Sequence, residues 1–323
     1  MGSAKTLRNI FMMMVTMLAV FTLLIFSSIQ KNKWEWEDPI TAYEYIDRDI
    51  FMPSPEPVQE EVLEEIIEEL IEDRVDNTSE IKKAVVDYLG IYTNNVSIYY
   101  YDLNDGYNFG INEGKEYFPA SLSKLWAVIT LYDLAHKGAI NLNDKIAYRS
   151  IDFEGGSGIL QGINKSEPFE TKLLAEYAIT HSDNIAYKML SRTIGRSNLK
   201  QNYENIIGHK VSYTRNGTMA MSAKDAYFIL KKVYDNPHNN VHYQKFITDL
   251  KNNKSSRKIN KYLPYPVARK GGSNGGYLHD SAIIYSPQPY ILSVLTLNLP
   301  DPKNKIADIA KIIDDMRQVQ TAN

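Results

Sequence analysis

The stretch FPASLSKLWAVIT, Phe118 to Thr130, decides how the chain is read. A serine and a lysine three positions apart open an apolar run. On a helix, residues i and i+3 share a face, so the Lys124 amine can reach the Ser121 hydroxyl. The first turn also offers unpaired N–H groups and the positive end of the helix dipole, both of which favour an alkoxide or oxyanion. The plainer alternative is a capping serine beside a surface lysine. Ser-x-x-Lys is a weak pattern in itself, for it occurs five times, starting at Ser28, Ser79, Ser121, Ser197 and Ser255. Ser28 falls at the end of an apolar N-terminal span, and Ser79 reads as the N-cap of a helix over SEIKKAVVDYL. Ser197 and Ser255 have polar surroundings. Only Ser121 follows Phe-Pro-Ala and opens a long apolar helix, where a casual lysine would be out of place. Burial and neighbouring cations make such a lysine a usable base.

Around this helix the pattern alternates between strand and helix. NVSIYYYDL and GYNFGINE read as strands joined by the turn Asn-Asp-Gly. From about residue 140 to 260 the spacing is mostly helical. YPVARKGG, YLHDSAIIYS and YILSVLTLNL then read as three strands, and NKIADIAKIIDDMRQV as a closing amphipathic helix. Two strands, a long helical insertion, three strands and terminal helices predict an α/β protein of the α+β type, an antiparallel sheet with a helical lobe. Two further elements carry polar groups at telling places. Ser182-Asp183-Asn184 lies in ITHSDNIAYKML, where helix capping is the ordinary explanation. Lys270 ends a strand before Gly271 and Gly272, and glycine allows a ligand close to the backbone. A loop glycine cluster is the ordinary explanation there.

Composition removes several classes of function. Net charge is −3, so no global basic field exists for nucleic acid. There are no cysteines, which excludes disulfides and thiol catalysis, and the six histidines form no His-Glu-x-x-His. The glycines form no phosphate-binding loop, and no cofactor is expected.

Ser121-x-x-Lys124, Ser182-Asp183-Asn184 and Lys270-Gly271-Gly272, in this order, resemble the three motifs of the penicillin-recognising serine enzymes. Within that superfamily the chain is similar to class A β-lactamase-related serine hydrolases. FPASLSK, EGGSGILQG (Glu154 to Gly162) and LHDSAIIY add to the likeness, which spans residues 79 to 318. The resemblance implies a β-lactamase/transpeptidase-like fold, with a five-stranded antiparallel sheet flanked by helices and an all-helical lobe. It implies Ser121 as the acylated nucleophile, Lys124 as its base and Ser182 as proton relay to the leaving nitrogen. It assigns Asn184 to the substrate amide, Lys270 to positive charge near a carboxylate, and Gly272 to the substrate wall. The N–H groups of Ser121 and Ser273 would form an oxyanion hole. The implied substrates are β-lactams or D-alanyl peptides of the peptidoglycan type. Three departures matter. Gly271 replaces the hydroxyl residue that usually follows the lysine, and Leu278 stands where many relatives have an arginine. No Glu-x-x-Leu-Asn lies between Asn184 and Asp225, and Glu204, in a helical context, is the only glutamate of that interval. The acyl-enzyme is therefore expected to form more readily than it hydrolyses; a peptidase or transpeptidase-like wall enzyme and a non-catalytic binding module are the alternatives.

The N-terminus predicts where this chemistry happens. Asn9 to Gln30 carries no charge and follows Lys5 and Arg8. The span approaches the ~20 residues that cross a bilayer, and the exit FSSIQKN lacks a small-x-small cleavage pair. Residues 1–30 are expected to be an uncleaved membrane anchor with the rest outside the cytoplasm; a cleaved secretory signal has the same layout. Residues 31–78 read as a stalk with an acidic amphipathic helix, VQEEVLEEIIEELIEDRV, and 79–323 as the hydrolase domain.

Overall fold

The computed structural model describes residues 78–321. The expected anchor and the acidic helix lie outside the described residues. Helix α1 covers 78–89; it already includes residue 78, so Ser79 is inside the helix and is not its N-cap. Strands β1 (Val96–Asp102) and β2 (Asn108–Ile111) form the expected hairpin. Gly106 takes a φ of +81° in the turn and donates its N–H to the Asp102 carbonyl at 3.1 Å, a conformation that favours glycine.

The helical insertion runs through α2 (Ser123–His136), α3 (Thr171–Thr180), α4 (Asn184–Ile194), α5 (Arg196–Ile207), α6 (Ala223–Asp235) and α7 (Tyr243–Lys251). A small ladder, β3 (Lys145–Ile146) with β4 (Phe169–Glu170), interrupts it; this ladder is too short to leave a strand pattern in the sequence. Strands β5 (Val267–Asn274), β6 (Tyr277–Ile284) and β7 (Tyr290–Leu297) follow, and α8 (Pro302–Thr321) closes the chain. The sheet order is β2-β1-β7-β6-β5, antiparallel throughout, with β5 at an edge. This is the expected five-stranded architecture with its helical lobe.

Both faces of the sheet are covered, which explains why its strands read as almost continuous apolar runs. Ile98, Leu292 and Val294 face a core shared with Val85 and Leu89 of α1 and with Ile306 and Ile309 of α8. Tyr99, Ile291 and Leu295 face the second core, shared with the helical lobe. The alternation follows from the two-residue period of a strand. Helix α2 is the centre of that second core. All residues from Ser123 to Tyr132 are buried, which accounts for a helix that is apolar all round.

Candidate active site

Ser121 lies on a 3₁₀ turn, Ala120–Leu122, that leads into α2. The N-cap of α2 is Leu122, with no side-chain capping bond, so Ser121 is not a cap. Ala120, immediately before it, has a φ of +48°. A non-glycine residue in this region stores strain, on the order of 1–3 kcal/mol. Lys124 is 2% exposed. Its Nζ donates to Ser121 Oγ at 2.8 Å and to Asn184 Oδ1 at 2.7 Å. Burial pulls its pKa down to about 8, against the opposing charges of Glu154 and Asp183.

The Ser-Asp-Asn element divides its labour. Asp183 is the N-cap of α4, accepting the Ala186 N–H at 2.9 Å, and it also accepts the Leu160 N–H at 2.7 Å. Gly158 passes so close that a Cβ there would come within 2.3 Å of the Asp183 carboxylate. Asn184 Nδ2 donates to the Gly155 carbonyl at 2.7 Å. The glycine-rich loop is thereby fastened to the start of α4. Capping explains Asp183 and leaves Ser182 unexplained. Ser182 has a φ of +54°, and its hydroxyl accepts from Lys270 Nζ at 2.8 Å.

Lys270 is fully buried on β5. Burial first, then the charges of Lys124 and Lys258, hold its pKa well below the usual lysine value. Gly272 sits where a Cβ would approach Pro119 O at 2.9 Å and Ser121 N at 3.2 Å, so glycine lets the edge of β5 close on the Ser121 turn. Ser273 follows, exposed. The structure thus brings Ser121, Lys124, Ser182, Asn184, Lys270 and Gly272 to one place, with Ser273 at its margin. His279 supports it from β6. Its Nε2 donates to the Phe118 carbonyl at 2.9 Å while Nδ1 accepts the Thr296 N–H at 3.1 Å. This pairing requires the neutral ring, and burial lowers the pKa to about 4.

Gly271 has a physical reason that the sequence did not disclose. A Cβ there would lie 2.6 Å from Lys258 Nζ. Lys258 is buried, with Asp280 Oδ1 at 3.9 Å, and Arg269 Nη1 meets the same oxygen at 2.9 Å. Lys258 belongs to one of the Ser-x-x-Lys repeats set aside for its polar surroundings. The missing side chain at Gly271 was the available signal that another group fills that space. Glu204 is occupied elsewhere, accepting from Lys210 Nζ and Val211 N, each at 3.2 Å. Glu154 pairs with Lys188 Nζ at 2.9 Å. Among the described residues no carboxylate hydrogen-bonds to Lys124.

The sequence profile of the beta-lactamase enzyme family matches residues 78–316. No curated protein matches at a comparable level. Among solved structures, a beta-lactamase from Sphaerobacter thermophilus is 21% identical, with a TM-score of 0.67, covering 75% of this chain and 97% of its own. A mutant of PBP-A, an acyl-enzyme complex with penicillin G, is 17% identical with a TM-score of 0.68, covering 75% of this chain and 97% of its own. A variant of the last common ancestor of Gram-negative class A beta-lactamases is 18% identical with a TM-score of 0.68, covering 75% and 99%.

Proposed function

The chain belongs to the beta-lactamase enzyme family, a family of serine hydrolases, and from that premise we propose that it forms an acyl-enzyme through Ser121 with β-lactams or D-alanyl peptide-like amides. One observation carries the reading. Two buried lysines each hold a serine hydroxyl, Lys124 on Ser121 and Lys270 on Ser182, both at 2.8 Å. Capping or surface solvation explains neither pair.

In this mechanism neutral Lys124 takes the Ser121 proton as Oγ attacks the carbonyl carbon. The N–H groups of Ser121 and Ser273 receive the oxyanion, each donor contributing ~3 kcal/mol to the transition state. Ser182, fed by Lys270, passes a proton to the departing nitrogen. Asn184, held by Gly155 and Lys124, presents its amide to the substrate. The acyl-enzyme then deacylates slowly, because Glu204 and Glu154 are both engaged away from Lys124. A wall peptidase or transpeptidase-like activity is the second reading, favoured by the same lack of a carboxylate on Lys124. Residues 1–30 anchor the enzyme, with the hydrolase domain outside the cytoplasm. Among the described residues no helix is long and apolar enough to cross a membrane, so this part rests on the N-terminal sequence.

The test is covalent. Full-length protein incubated with a fluorescent penicillin should carry the label on Ser121, located by peptide mass spectrometry. Ser121→Ala should abolish it while still melting cooperatively. Label on another serine would overturn the assignment. The same labelled chain should sediment with membranes and retain its first residues; a mature N-terminus between Ser27 and Trp34 would remove the anchor.

A further inference from the structure

A cleft of about 610 Å³ lies between residues 115–118, which precede the Ser121 turn, the crossing segment 212–216, and the β5–β6 turn at Asn274 and Gly275. Its position relative to the reaction is fixed by β5. Lys270 serves Ser182 on that strand, Ser273 follows with the oxyanion donor, and the cleft opens beyond Ser273. It therefore lies on the acyl side of the scissile bond, away from the leaving group.

Two hydroxyls line the cleft without a hydrogen-bond partner among the described residues, Tyr117 Oη and Thr214 Oγ1. Tyr117 is 3% exposed. Its ring is wedged edge-on between Tyr277 and His279, and its backbone bridges to Met221. The hydroxyl cannot swing out to water. A buried, unpaired hydroxyl destabilises a fold, and phenylalanine would fill the same space without that cost. Retaining the oxygen makes sense if a ligand completes its bonding. The charge of the cleft points the same way. Lys115 and Arg215 are exposed. Arg215 forms no ion pair among the described residues, and the Lys115 ammonium donates to the neutral Asn94 carbonyl at 2.6 Å. The one carboxylate present, Glu116, already accepts from Ser212 Oγ.

We propose that this cleft binds an extension of the acyl donor on the amine side of its acyl residue, and that the extension carries a carboxylate. The carboxylate meets Arg215 and Lys115, and polar atoms of the extension complete Tyr117 and Thr214. The proposal rests on the acyl-transfer reading and adds to it a preference for long, acidic donors over compact ones.

Three thioester donors sharing one D-alanyl end test it: N-acetyl, N-acetyl-glutaminyl and N-acetyl-glutamyl. The rate of Ser121 acylation is followed on the full-length protein by intact mass, with fluorescent penicillin as a parallel label. The glutamyl donor should acylate about tenfold faster than the glutaminyl one, as expected for a charge-assisted bond. Arg215→Ala should erase that difference. Tyr117→Phe should slow both extended donors about fivefold, leave the N-acetyl donor within twofold, and melt no lower than wild type. Equal rates for all three donors, with penicillin still labelling, would overturn the cleft and spare the acyl-transfer reading. Equal slowing of every donor by Tyr117→Phe would overturn it too, for the hydroxyl would then act on the Ser121 turn. No label from any donor or from penicillin would overturn both.

Discussion

Lys124 donates to two oxygens and to no carboxylate, and burial brings its pKa to about 8. Only its neutral form can accept the Ser121 proton, so acylation should rise with pH and level off above 8. Between pH 6 and pH 8 the neutral fraction grows about fiftyfold, and the penicillin-labelling rate should follow it. Lys124→Arg keeps the positive charge but cannot lose its proton near neutrality; it should label very slowly at every pH. A flat profile in wild type would place the base elsewhere. His279 gives a second, independent pH effect, on stability. Its folded pKa of about 4 lies below the ordinary histidine value, so between about 4 and 6.5 the unfolded chain binds more protons than the folded one. Stability contributed by the neutral ring is complete above that window and is lost as pH falls through it. Urea midpoints should therefore drop from pH 7 to pH 4.5, and the drop should be smaller in His279→Gln.

Strand β5 shows how an element reconciles a motif with its departures. Lys270 points to the helical lobe and Ser182, while position 271 points to the opposite face, where Lys258 Nζ fills the space of a side chain. Gly271→Thr would restore the hydroxyl common among similar enzymes, yet its Cβ would collide with that ammonium. The single substitution should destabilise the fold by about 1–3 kcal/mol, in the range for overpacking. Lys258→Ala opens the space, and Arg269 still holds Asp280. The double variant should therefore recover much of the loss, a coupling that urea melts of the two singles and the double would measure. Full additivity would show that Lys258 is not the constraint. Such a constraint is not written in β5 itself. The strand, its lysine and its glycines were legible because apolar alternation and motif spacing are local. Lys258 was not, because it comes from a connecting segment with no periodicity, and only the packed structure brings it beneath β5. The same holds for His279, whose partners Phe118 and Thr296 lie far from it in sequence.

At the scale of the whole molecule the site is a seam. Ser121 and Lys124 come from the helical lobe's central helix and the turn that leads into it, Ser182 and Asn184 from the start of α4, and Lys270 from the sheet edge. Sheet and lobe were legible because each buries a continuous apolar surface, whereas the β3–β4 ladder and the long reach of the 208–221 crossing were hidden by lack of pattern. That crossing decides the fate of the acyl-enzyme. It carries no glutamate. It runs directly to α6, where Ser222 and Asp225 close a capping box, Ser222 Oγ accepting the Asp225 N–H at 3.1 Å and Asp225 Oδ2 accepting the Ser222 N–H at 2.8 Å. The nearest glutamates are committed, Glu204 to Lys210 and Val211, and Glu154 to Lys188. With no carboxylate to activate water, acylation and deacylation should separate in time. A chromogenic cephalosporin should give a burst of one equivalent per Ser121, followed by a much slower steady state. Glu204→Gln should leave both phases unchanged. Glu154→Gln reports whether the field of that carboxylate matters: Glu154 opposes the lowering of the Lys124 pKa, so its neutralisation should shift the acylation profile to lower pH without speeding turnover. A steady state as fast as the burst in wild type, and abolished by Glu154→Gln, would make Glu154 the water-activating group and end the slow-deacylation reading.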